Sequence, residues 1–305
     1  MSHYIAKRLL GMLFVIFVII IFSFLFVHLL PGDPAQIYAG GDATLADIAN
    51  VRHRLGLDQS LLSQFYLFVS NLFQGHLGVS YASGESVVDI LKPRLMVTAT
   101  LGGMSLWFIP MGIFFGFVAA VFKGRLPDRL SMVLAVGGIS IPDFWLGLVL
   151  MQIFAVHLGW FNPTGYESLS DLVLPSITLG MMGTAIVARF TRSAFLDVLS
   201  ENYIQTAKAK GLSEFSVLIG HAFRNALLPI VTVIGLQIGF VLSGSIVIEN
   251  IFSLPGLGAL LIDSVNNRDF PIVQMLLMIF AFNFVFINFL VDILYMVINP
   301  QIRMK

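Results

Sequence analysis

Six long apolar runs alternate with polar stretches along the chain, at 9–30, 96–122, 130–158, 172–188, 226–248 and 270–291. About 20 apolar residues cross a bilayer as a helix, so each run predicts a transmembrane span. The first run holds only His28 as an ionisable group. The runs at 96–122, 226–248 and 270–291 hold no charge, and 172–188 is short but clean. The third run is long and contains Asp143 directly after Pro142. Lys7 and Arg8 precede the first run as they would a signal peptide. Its apolar length exceeds a signal core and no small-x-small site follows, which predicts an uncleaved anchor.

Two polar stretches carry helical patterns of their own. In the first, Pro31-Gly32-Asp33-Pro34 stops the opening span. Thr44 and Asp47 are spaced as a capping box for a helix ending near Gly56. Leu61, Leu62, Phe65, Val69, Leu72 and Phe73 then mark an amphipathic helix ending at Gly75. This segment reads as a small helical cap on the spans, or as a docking surface for an external partner. In the second stretch, a helix over 201–210 ends at Gly211, a residue suited to the left-handed turn after a helix. Ser213 is an N-cap for a second helix, with Glu214 at its positive end. There Phe215, Leu218, Ile219, Ala222 and Phe223 share one face at a period of 3.6. The pairs Gly112/Gly116 and Gly235/Gly239 are small-xxx-small spacings that let spans pack closely.

Composition settles the class. Of 305 residues 57% are hydrophobic and 11% charged, against roughly 25% charged in soluble domains. The chain is all-α and polytopic, a resident of the lipid bilayer. Its net charge of zero argues against nucleic acid, and the absence of Cys excludes disulfides and thiolate metal sites. With the N-terminus inside, the inner segments hold 12 of the 17 Lys and Arg, Arg303 and Lys305 among them. The positive-inside rule thus predicts both termini and the 199–232 stretch in the cytoplasm.

Candidate chemistry is sparse. The chain has no phosphate-binding GxxxxGK[ST] loop, no HExxH and no GxSxG, and its six His are scattered. An enzyme reading has no residue to rest on, and no cofactor or metal is implied. Asp143 in the third run and Asp292 at the end of the sixth are the carboxylates to weigh at membrane depth. Asp292 is expected near the cytoplasmic end, paired with an Arg. Asp143 is placed where Pro142 frees backbone carbonyls and the chain is able to line a cavity. Internal repeats of the kind secondary transporters show are missing. An ion-coupled transporter and a non-transporting scaffold stay open at this level.

The stretch Gln205-Thr206-Ala207-Lys208-Ala209-Lys210-Gly211, continuing to Arg224-Asn225-Ala226-Leu227-Leu228-Pro229, resembles the "EAA" loop of permease subunits of binding-protein-dependent ABC importers. It is similar to the peptide branch, where Gln205 in place of the family's Glu and a long spacing from Gly211 to Pro229 are normal. His28 to Pro34, Pro142-Asp143-Phe144, Phe252 to Gly258, Arg268 to Pro271 and Asn299-Pro300 resemble further motifs in the same order. The stretch from Ala188 to Glu201 looks most like glutathione importer permeases, with dipeptide, oligopeptide and nickel permeases close by.

The resemblance implies a six-helix type I importer (MetI-like) fold in a bacterial inner membrane. Residues 1–95 would form an N-terminal span with a periplasmic helical segment, and 96–305 a five-helix permease domain with a coupling loop at about 199–229. It implies a second homologous permease, two ATPase subunits that bind the ATP, and a periplasmic solute-binding protein. The residues carried over to the coupling loop are Glu201, Gln205, Ala207, Lys208, Lys210, Gly211, Phe215, Leu218, Arg224, Asn225 and Pro229. Within it Phe215, Leu218, Ile219 and Phe223 are expected to pack on the chain itself. Ala207 and Gly211 would admit the ATPase closely, with Lys208, Lys210 and Arg224 at the rim. Pro142, Asp143, Pro255 and Gly256 are the expected path residues.

Overall fold

The computed structural model describes residues 2–29, 33–40 and 42–298. Pro31, Gly32, Asn299, Pro300, Arg303 and Lys305, used above, lie outside the described residues. The described residues are mostly helical. Among the described residues no strand forms, and one antiparallel bridge joins Val79 to Ser86.

Helix α1 (Ser2–Leu29) is the first span. Short helices α2 (Pro34–Ala39), α3 (Leu45–Arg54) and α4 (Leu61–Phe73) follow. The Thr44–Asp47 capping box forms as expected, with Thr44 N donating to Asp47 Oδ2 at 3.0 Å. Next come α5 (Val87–Ser105) and α6 (Phe108–Val121), which make one long span. Helices α7 (Leu126–Ser140) and α8 (Asp143–Leu150) follow, the latter continued by a π-helical stretch Met151–His157. The run 130–158 is therefore no straight span. It breaks at Ile141–Pro142, where Pro142 has no N–H to offer the turn before it, and its two halves meet at 101°. Counting that pair as one crossing, the described residues hold six candidate spans.

The most enclosed is α9 (Val173–Leu199), with 72% of its apolar window buried against 17% for α1. Helix α12 (Arg224–Ile251), the short α13 (Leu257–Asn266) and α14 (Phe270–Ile298) complete the bundle. Helix α9 sits among α5, α6, α7, α8 and α12, while α1 packs chiefly on α14, with a smaller contact to α4. Glycine makes the closest of these approaches possible. A Cβ on Gly112 would stand 2.7 Å from Val187 Cβ, and one on Gly116 would strike Ala188 O and Thr191. Gly235 and Gly239 admit Val291 and Phe284 of α14 in the same way. Both small-xxx-small pairs are thus packing seams, as their spacing predicts.

Candidate functional site

The break between α9 and α12 builds the candidate site. Helix α10 (Asn202–Ala209) is closed by Gly211, which adopts φ +80°. Gly211 N donates to Lys208 O at 2.9 Å and Leu212 N to Ala207 O at 3.4 Å, the paired bonds of a Schellman stop. Ser213 then caps α11 (Glu214–Ser216), accepting from Ser216 N at 3.3 Å. From there the chain runs through a π-helical stretch, Val217–Phe223, straight into α12.

The π stretch decides which residues face inward. A π turn takes in one more residue than an α turn, so the buried positions are Val217 and then Ala222, five apart, before Ala226 and Ile230 at the α spacing. They join Ile204, Ala207, Ala194, Phe195 and Ala120 in one cluster, with the Phe195 ring 5.1 Å from Phe117 and 5.9 Å from Phe223.

Two expectations fall here. The 3.6-period face turned Phe215 and Ile219 inward, whereas Phe215 is 75% and Ile219 44% exposed, and Val217 takes the inward place. Leu218 and Phe223 are half-buried. Ala207 was expected to admit a partner, but it is buried in the chain's own core because it lies one helical turn from Ile204. The outward face of the loop carries Tyr203, Leu212, Phe215 and Ile219, with Glu201, Gln205, Lys208, Lys210, Gly211, Arg224, Asn225 and Pro229 exposed around them. The loop thus exposes four large apolar side chains and the cations Lys208, Lys210 and Arg224 together.

Beside the loop, Asp128 of α7 takes a bidentate pair from Arg192 of α9, Nε to Oδ1 at 2.6 Å and Nη2 to Oδ2 at 2.9 Å. Arg8 Nη1 lies 2.8 Å from Asp292 Oδ2, the arginine partner expected for that carboxylate.

The expected path residues fall into two places. Pro142 and Asp143 stand at the break before α8, exposed and half-buried respectively. Pro255 is exposed, but Gly256 instead lies buried over the carboxylate of Glu249, where a Cβ would collide with both oxygens.

Glu249 is the residue the sequence reading passed over, one position beyond an uncharged run. It is fully buried at the far end of α12. Its Oε1 accepts from Thr98 Oγ1 at 2.8 Å, and Oε2 accepts from Gly258 N at 2.7 Å and Ala259 N at 3.1 Å. Thr98 Oγ1 in turn accepts from Leu257 N at 2.8 Å. The carboxylate thus caps the first turn of α13 and ties it to α5 and α12. The glycines of Leu254-Pro255-Gly256-Leu257-Gly258 leave room for it. A carboxylate closing an apolar run, with Gly256 and Gly258 two turns further on, was the available signal.

Two further carboxylates are held alike at this end. Asp269 accepts from Ser80 Oγ and, at 3.0 Å, from Tyr81 N. Asp171 accepts from Glu167 N and Ser168 N, both at 2.8 Å, and from Asn162 Nδ2 at 3.0 Å. Tyr81 has its phenol pushed up to about 12 by burial, with the Asp269 charge adding to it.

Comparison with known proteins completes the site. The profile of the family described as "Binding-protein-dependent transport system inner membrane component" matches residues 112–304, and that of its N-terminal region matches residues 1–102. The chain is 50% identical over 306 residues to the glutathione transport system permease protein GsiC of Escherichia coli O6:H1, covering 100% of both chains. It is 49% identical, at the same coverage, to GsiC of Escherichia coli K12. Among solved structures, the inward-facing MetNI methionine ABC transporter superposes with a TM-score of 0.57 at 16% identity, over 69% of this chain and 96% of that one. An amino acid ABC transporter gives 0.54 at 15% identity, over 68% and 94%. These structures share the fold.

Proposed function

The chain belongs to the inner membrane component family of binding-protein-dependent transport systems, and on that footing we propose that it is one of two permease subunits forming the path of an ABC importer for glutathione or short peptides. The 49–50% identity along the whole length to glutathione permeases carries the cargo reading. In this reading a solute-binding protein delivers the cargo, a second homologous permease completes the path, and two ATPase subunits bind and hydrolyse the ATP. Residues 1–95 form the first span and outer segment, and 96–305 the five-helix permease domain. The loop end and both termini face the cytoplasm, as the 12 of 17 Lys and Arg support.

The loop at 199–229 docks on an ATPase through Phe215, Ile219, Leu212 and Tyr203, with Lys208, Lys210 and Arg224 at the rim. Its inner side is part of the same apolar cluster as α9 and α12. A push on the loop therefore reaches both spans, and ATP-driven closure shifts them between outward and inward states.

Proteoliposomes containing this chain, the second permease, the ATPases and the binding protein test the reading. Glutathione uptake is expected to require ATP, to stop with vanadate and to survive ionophores. Uptake driven by an ion gradient without the ATPases would overturn it. Calorimetry on the binding protein separates the cargo: tight dipeptide binding without glutathione binding would redirect the cargo and leave the permease role standing. Phe215→Glu is expected to lower uptake at least about 30-fold, the worth of a roughly 2 kcal/mol interface anchor, with the complex still inserted. Gly211→Leu, which strains a φ of +80°, is expected to leave ATP hydrolysis running without uptake.

A further inference from the structure

Helix α4 divides its surface three ways. Thirteen residues, Leu61–Phe73, include no charged side chain. At about 100° per residue, Leu62, Tyr66, Val69 and Phe73 fall within a stripe roughly 60° wide. Leu62, Tyr66 and Phe73 are 83%, 73% and 82% exposed. Ser63, Ser70, Asn71 and Gln74 lie on a second stripe, roughly 100° further round, with Leu67 as its one apolar member. The third side is packed: Phe65 and Phe68 meet Phe24 of α1 at ring separations of 5.3 and 5.9 Å, and Phe68 and Leu72 join the cluster built on Val87, Leu257 and Met275. Helix α4 therefore packs between α1 and the cluster that includes Met275 of α14, with one uncovered apolar edge and one mainly polar edge.

Its depth follows from its partner on α1. Phe24 lies five residues before the helix end at Leu29, which at 1.5 Å per residue is about 7.5 Å inside the end of that span. The polar boundary beyond it is marked by the Asp33–Arg52 ion pair. Interfacial helices sit about 5–10 Å into the headgroup and acyl boundary. Helix α1, on which α4 packs, likewise leaves the large apolar side chains Phe14, Phe17, Phe22 and Leu29 exposed.

We propose that α4 is an interfacial helix lying along the leaflet at the far end of the bundle, with Leu62, Tyr66 and Phe73 in the acyl region and Ser63 and Asn71 toward water. The occupant of this face is lipid. It braces α1, the least enclosed span, by closing the angle between α1 and α14 at the depth where the bilayer turns polar. The inference needs only the membrane class of the chain and is independent of the cargo.

The chain has no cysteine, so Leu62→Cys, Tyr66→Cys and Phe73→Cys each create one nitroxide-labelling site when the chain is labelled before assembly. In proteoliposomes of the full complex, oxygen is expected to relax these labels several-fold more than a nickel chelate, as at a Phe22→Cys control in α1. Ser63→Cys and Asn71→Cys are expected to reverse that ratio. Equal nickel access at all five positions would overturn the proposal in favour of an aqueous helix. Labels shielded from both reagents, or immobilised when the binding protein is added, would overturn it in favour of a protein partner on this face.

Discussion

At the loop end, buried Asp128 is held by the guanidinium of Arg192, while at the far end Glu249, Asp269 and Asp171 are held by backbone N–H groups, hydroxyls and an amide. Among the described residues, the ion pairs include none of the last three. The difference has mechanical content. A backbone N–H donates in one direction over a narrow range of distance, so a carboxylate that collects several of them fixes the loop that carries them. Coulomb attraction falls only as the inverse of separation, so an ion pair bridging two helices keeps much of its strength through a small shift. The buried carboxylates of the far end thus pin turns, while the buried carboxylate of the loop end joins two helices chiefly by charge. That suits a molecule in which the loop end is moved by a partner.

The comparison is broken most directly at Glu249. Glu249→Ala would remove the acceptor of the Thr98 O–H and of the Gly258 and Ala259 N–H groups, while Thr98 Oγ1 keeps its bond from Leu257 N. At about 1–3 kcal/mol for each, this is the largest loss expected, read as a fall in Tm of the chain in nanodiscs. Glu249→Gln, which keeps one acceptor oxygen, should recover part of it. Gly256→Ala should resemble Glu249→Ala, because its Cβ meets the same carboxylate. A Tm for Glu249→Ala within about 2 °C of the parent, the shift of less than 1 kcal/mol, would mean that the far end is not pinned there.

Arg192→Leu should come next, at about 1–3 kcal/mol. A broken buried pair costs roughly 3–5, but Arg192 keeps 27% of its side chain exposed and Asp128 retains Gly124 N at 2.8 Å. Arg192→Lys should lie between the two, since an ammonium cannot reproduce the fork. Arg8→Ala should cost only about 0–1 kcal/mol, because the Arg8 side chain is 48% exposed. The smallest effect at neutral pH is at Tyr81. The unfolded phenol ionises near pH 10 and the folded one at about 12. Its contribution is therefore complete below pH 10 and is lost as pH rises through 12, which absorbance at 295 nm follows directly.

Much of this was legible before folding. Spans, the Thr44 capping box, the Gly211 stop and both glycine seams depend on short-range patterns, because a helix, a cap and a close approach are each specified within a few residues. The uncovered edge of α4 could also be drawn on a helical wheel, yet nothing in the wheel tells an exposed apolar edge from a packed one. The inward face of the loop was misread for a related reason. A π turn between Val217 and Phe223 leaves no mark in hydrophobic periodicity, and one added residue rotates Phe215 outward.

The sequence alone, through apolar run length and ordered motifs, was enough to reach a polytopic permease of this family. Where Glu249, Asp269 and Arg192 find their partners could not be read there. Those partners lie 9 to 189 residues away along the chain. Burial selects the groups that must be paired, and only packing of the helices brings the donors to them.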